Sequence, residues 1–136
     1  SDMICPWCYL GKRRMEAALR RARAELDVDI QVSWQPYFLD PRMPADGLSK
    51  RDSYRRRGLD DAKLAKLEMK MSQLFDAEGI RYSLDGPIGN TMDAHRLTTW
   101  ALAKYGPEVQ DRIVEGIFRG FFSKARSPAD RRHLAE

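Results

Sequence analysis

The chain has 136 residues, with 24 Lys and Arg against 20 Asp and Glu for a net charge of +4, and is 43% hydrophobic and 32% charged. That length suits one ordinary domain, the composition argues against disorder, and no apolar run is long enough to span a bilayer as a helix. Two cysteines are too few for a disulfide-stapled miniprotein.

In chain order, the cysteines come first, as Cys5-Pro6-Trp7-Cys8. Met15, Ala18, Leu19, Ala22 and Leu26 then recur at steps of three and four, and Pro6 suits a first helical turn, so a helix is predicted over residues 6–26. Residues 29–38 alternate Ile30, Val32 and Trp34 with polar neighbours, the period of a half-buried strand, with Pro36 marking its end or an edge. Residues 41–47 form a loop, and Ser49 caps a short helix that stops at Gly58.

A longer helix carries Leu64, Leu67, Met71, Leu74 and Phe75 on one stripe and ends at Gly79. Residues 82–90 are turn-rich, and Asn90 or Thr91 opens a helix bearing Ala94, Leu97, Ala101 and Leu102. Gly106 and Pro107 divide it from another, with Val109, Ile113, Ile117 and Phe121 on one face. Ser127 and Pro128 read as the cap and first position of a last helix. Trp34 and Trp100 are expected in the core, and Met69 and Met71 in helix packing. Five or six helices with a single strand make a mainly α chain within an α/β plan, since a lone strand needs partners.

Charge is uneven in one place: residues 50–57 (KRDSYRRR) hold five cations and one anion, a local +4 that equals the whole net charge. A solvated helix face is expected there, and one such patch without a reading motif does not point to nucleic acid.

The cysteine pair carries the chemistry. In a C-x-x-C at a helix start the sulfurs lie one turn apart on one face, close enough to bridge. Unpaired N–H groups and the helix dipole favour a thiolate there, so Cys5 is expected to titrate low and attack, with Cys8 the shielded resolving thiol. Pro6 fixes the turn and withholds a donor, and Trp7 offers an apolar face beside the reactive sulfur. A zinc site would need two more ligands, and His95 and His133 have no spacing that pairs with the cysteines, so no metal is expected. His95 is weighed as a cleft-lining group against a satisfied interior histidine, and Asn90 as a substrate contact against a helix cap. In each case the plainer role is preferred. There is no phosphate loop, no G-x-S-x-G and no suggestive carboxylate pair.

The segment from Ser1-Asp2-Met3-Ile4-Cys5-Pro6-Trp7-Cys8 through Tyr9-Leu10-Gly11-Lys12-Arg13-Arg14 resembles the active-site segment of the FrnE-like branch of the DsbA family, thioredoxin-fold disulfide oxidoreductases with a helical insertion. Residues 32–41, residues 89–97 (Gly89-Asn90-Thr91 through Ala94-His95-Arg96-Leu97) and residues 117–123 (IFRGFFS) are similar to further parts of that branch. The resemblance implies a partial thioredoxin-like fold, made of the active-site helix and one strand over residues 1–40. A helical insertion over 41–126 and the start of a returning helix over 127–136 complete the expected division.

The family's first strand, and its closing part with a facing cis-proline, two strands and a helix, have no counterpart in these residues. A fragment or truncated product with weakened turnover is therefore expected. By the resemblance Cys5 attacks and Cys8 resolves, and no organic cofactor is needed, with protein thiols or glutathione as partners. The cytoplasm is the implied compartment. A start at Ser1 rather than Met leaves the periplasm open, and oligomeric state is open too, a homodimer among the options. Two other functions are carried. One is a glutathione-linked transferase or isomerase like the kappa-class transferases and 2-hydroxychromene-2-carboxylate isomerases, against which the paired cysteines count. The other is a non-catalytic helical binding module.

Overall fold

Pro6, whose ring presets φ and whose missing N–H costs nothing in a first turn, opens α1 (Pro6–Glu25) in the computed structural model, which describes residues 1–45 and 47–136. Its first two turns bury Tyr9, Leu10 and Lys12, while the predicted apolar face fades toward the C-terminus, where Leu26 is exposed. A two-residue strand, β1 (Leu48–Ser49), leads directly into α2 (Lys50–Arg56), and the Ser49 side chain accepts from the Asp52 amide as its predicted cap. Asp60 caps α3 (Asp61–Asp76) in the same way. Gly79, in the left-handed region at φ +70°, turns the chain after it.

A second short strand, β2 (Pro87–Ile88), pairs antiparallel with β1, Leu48 opposite Ile88 and Ser49 opposite Pro87. This pairing of the expected Ser49 cap and the residue before it with part of the turn-rich 82–90 stretch was not legible in the sequence. Of the predicted 41–47 loop, Asp46 lies outside the described residues. Then come α4 (Met92–Tyr105) and α5 (Pro107–Ser123), divided by Gly106 as expected. The last helix, α6 (Arg131–Ala135), starts later than expected. Ser127 and Pro128 form a turn, Ser127 Oγ accepting from the Ala129 amide, and the cap is Asp130, which accepts from Arg132.

The core is aromatic. Tyr9 stacks on Phe118 with ring centroids 4.9 Å apart and meets Phe75 edge-on at 5.8 Å, while Tyr82 and Phe122 close the cluster. Two expected core residues are outside it: Trp100 and Met69 are exposed, whereas Met71 is buried and Trp34 packs against the core from its margin. The basic stretch is not a uniformly solvated face either. Lys50 and Ser53 are buried, while Arg51 pairs with Glu68 at 3.0 Å and Arg55 with Asp61 at 2.9 Å. On α5 the buried face centres on Gln110, Val114, Ile117, Phe118 and Phe121, one step from the predicted stripe.

The predicted strand at 29–38 runs without helix or assigned ladder, because no full strand lies beside it among the described residues. Its backbone groups are taken up on two flanks instead. On one, the Gln110 carboxamide forms a pair of bonds with Trp34, accepting from its N–H at 2.8 Å and donating to its carbonyl at 2.8 Å. On the other, Ser1 N donates to the Gln35 carbonyl at 2.9 Å and the Tyr37 amide donates to the Ser1 carbonyl at 3.1 Å. One residue bonded to both neighbours of its opposite, here Pro36, is the pattern of a parallel bridge. The segment that leads into the cysteines is thus tied in strand fashion to residues 35–37.

Candidate active site

Cys5 is the N-cap of α1, in extended conformation, and Cys8 lies one turn on, its amide donating to the Cys5 carbonyl at 3.1 Å. Both are free thiols and partly buried, and Trp7 between them is 55% exposed, its indole face open to solvent beside the pair. Pro6 occupies the first helical position and offers no N–H, so the amides that act on a Cys5 anion are those of Trp7 and Cys8.

Anion-stabilising groups are shared out between the two thiols differently from the expected asymmetry of a low Cys5 and an ordinary Cys8. Cys8 is pushed down to about 5, first because the Cys5 thiol stabilises its anion; burial opposes this, and the Ser1 hydroxyl and the Asp2 amide add to it. Cys5 is raised, chiefly as the partner that keeps its proton beside the Cys8 anion and secondly by burial, although the Cys8 and Trp7 amides favour its thiolate. Two thiols this close titrate as a pair, one proton leaving easily and the second with difficulty. The helix field alone does not assign the anion, because residues upstream of the helix, invisible to a reading of its first turn, face Cys8.

Upstream lies Asp2, a buried carboxylate that sequence reasoning passed over, although it opens the quoted Ser1–Arg14 segment. Its carbonyl accepts from the Cys5 amide at 3.1 Å, and its Oδ2 accepts from the Leu39 amide at 2.7 Å. His95 Nε2 lies 3.6 Å from Asp2 Oδ1 and 3.1 Å from the Tyr37 carbonyl. Burial alone would raise the Asp2 carboxyl, but His95, the Leu39 amide and Thr91 together hold it below the ordinary range.

His95 lies in the interior, 3% exposed, with the Phe38 ring edge-on at 4.7 Å. Asn90 is engaged too. Its Oδ1 accepts from Met92 N–H at 2.9 Å, and its amide donates to the Pro41 and Met43 carbonyls at 3.3 and 3.2 Å, tying that loop to the start of α4. Thr91 takes the N-cap position without a side-chain capping bond. Among the described residues no cluster of three metal-ligating side chains occurs, and no helix is long and apolar enough to cross a membrane.

Behind the pair, α1 is moored by charge. Lys12, 1% exposed, binds Glu16 and, at 2.9 Å, Asp111, and Asp111 also accepts from the Trp34 indole at 2.8 Å. Tyr9 donates to Glu115 at 2.7 Å. The helix bearing the thiols thus has its position set by α5.

Residues 1–136 match the family model described as the DSBA-like thioredoxin domain. Among solved structures, the chain is similar to a probable DsbA oxidoreductase from Streptomyces coelicolor, with a TM-score of 0.78 and 28% identity. The match covers 98% of this chain and 57% of the Streptomyces chain, so this chain spans less than two thirds of that relative's length. No curated protein matches it.

Proposed function

This chain belongs to the DSBA-like thioredoxin domain family, and on that premise we propose that it is a thiol–disulfide oxidoreductase working through Cys5 and Cys8. The observation that carries the reading is two free thiols one turn apart at the start of a moored helix, one of them stabilised as an anion by its surroundings.

With the pair oxidised, a substrate thiolate attacks Cys5 Sγ. The Cys5–Cys8 bond breaks, and Cys8 leaves as a thiolate. A second substrate thiolate then attacks the substrate sulfur of the mixed disulfide, and Cys5 departs. Two electrons pass from substrate to the pair, and two thiols become one disulfide. In the reverse direction Cys5 attacks a substrate disulfide and Cys8 resolves the intermediate. A Cys8 anion held near 5 is a good leaving group, which favours oxidation of the substrate. Trp7 and Pro6 shape the approach to Cys5. Substrates are protein thiols or glutathione, and the FrnE-like resemblance supports the cytoplasm as the compartment.

The test is exchange with a small dithiol and its disulfide. Cys5→Ser abolishes turnover, and Cys8→Ser accumulates a mixed disulfide on Cys5. Ultraviolet thiolate absorbance of the reduced chain rises by one equivalent with a midpoint near pH 5 and by the second only at strongly alkaline pH. Unchanged turnover in Cys5→Ser, or two equivalents appearing together near an ordinary thiol value, overturns the reading.

A further inference from the structure

We propose that His95 and Asp2 form a positioning pair, through which α4 of the helical region sets the geometry of the Cys5–Cys8 exchange site. The inference rests on the redox reading above and adds residues that do not themselves react.

Three segments meet at this pair. Asp2 is 1% exposed and precedes the active-site helix, His95 is 3% exposed and comes from the second turn of α4, and Tyr37–Leu39 belongs to the extended segment. The Tyr37 carbonyl only accepts, so the His95 nitrogen 3.1 Å from it carries the proton, and that nitrogen lies 3.6 Å from Asp2 Oδ1. Asp2 Oδ1 has no hydrogen-bond partner, and the one cationic side chain within salt-bridge distance of it among the described residues is His95. Such a carboxylate is costly to bury unless its second oxygen and a neighbouring donor hold it. Here the Leu39 amide holds Oδ2 at 2.7 Å and His95 faces Oδ1.

The same residue's backbone reaches the chemistry. The Asp2 carbonyl fixes the Cys5 amide at 3.1 Å, and the Asp2 amide is among the groups favouring an anion on Cys8. A displaced Asp2 therefore moves both cysteines at once, and exchange tolerates little misplacement of the attacking sulfur. The imidazole is itself held between the Tyr37 carbonyl at 3.1 Å and the Phe38 ring, edge-on at 4.7 Å.

The experiment uses the 136-residue chain in wild-type, His95→Ala, His95→Gln and Asp2→Asn forms. Dithiol exchange and alkylation rate against pH are measured, the latter also in Cys5→Ser and Cys8→Ser backgrounds. Circular dichroism and unfolding midpoints accompany both. His95→Ala is expected to slow exchange about tenfold and to move the alkylation midpoint of Cys8, with its helix content retained. Gln can still donate to the Tyr37 carbonyl, so His95→Gln recovers most of the rate.

If His95→Ala does not fold, Asp2→Asn, which keeps size and loses charge, carries the same expectation. Folded variants with wild-type exchange and alkylation profiles overturn the proposal, as does a stability loss with an unchanged alkylation profile. A wild-type chain that does not exchange, yet shows the Cys8 profile moving in His95→Ala, refutes the oxidoreductase reading and leaves the positioning pair standing.

Discussion

Lys50 is the residue whose titration most directly tests the packing. It sits at the first position of α2, 3% exposed, beside the electropositive end of its own helix. Its ammonium donates to the Phe121 carbonyl in the last turn of α5 and to the Ser83 carbonyl at 3.2 Å, and it lies 4.2 Å from the Phe121 ring centre. Among the described residues no carboxylate lies within salt-bridge distance of it. Burial pushes Lys50 down from 10.5 to about 8, with the more distant Asp85 opposing. The difference between those values, at about 1.4 kcal/mol per pH unit, is about 3 kcal/mol.

The sign follows from proton counting. Below about pH 8 both folded and unfolded chains hold the proton, and this group gives stability no dependence on pH. Between about 8 and 10.5 the unfolded chain holds a proton that the folded one has released, so stability rises with pH, and above 10.5 it levels off. Replacing Lys50 by Met keeps the stem and removes the titration. Urea unfolding of both proteins across this range should show the wild type gaining about 3 kcal/mol relative to Lys50→Met, other groups cancelling in the difference. A gap constant to within about 0.5 kcal/mol would refute the reasoning, because Lys50 would then be solvated or paired.

Two further substitutions probe how the extended segment and the loops are held. Gln110→Ala unpairs both backbone groups of Trp34 inside a fully buried site, and should lower unfolding free energy by about 2–4 kcal/mol in urea titration. A loss under about 1 kcal/mol would mean water replaces the side chain. Gly86 sits at φ +90° against the backbone of Ala125, whose Cα would lie 2.7 Å from an added Cβ. Gly86→Ala should therefore cost more than about 2 kcal/mol and loosen residues 124–126, seen as faster amide hydrogen exchange there.

Helices were legible wherever apolar spacing and end chemistry agreed. Ser49 caps α2, and Gly106 with Pro107 divides α4 from α5, because these signals are local. The alternation through Ile30, Val32 and Trp34 has the period of a strand. What it faces is one glutamine side chain on one flank and Ser1 on the other, partners set by tertiary contact and absent from any local pattern. Lys50 was hidden among charges because a basic run looks solvated until one member turns inward. Trp100 and Met69 show the opposite failure: apolar residues on the outer side of helices packed on one face only. The cysteine pair was legible as a motif. The sharing of its proton was not, since Asp2 and Ser1 act on it from before the helix, and Asp2 is in turn held by a histidine far along the chain.

The flank of residues 34–37 that faces Gln110 offers little to an associating chain. Toward Gln110 the Trp34 groups are already occupied, and Pro36, facing the same way, has no hydrogen to offer. A stray β-chain arriving on that side would meet neither a free donor nor a continuous row of acceptors. Templated growth of one molecule onto the next is blocked there by two residues, without any charge being spent on repulsion.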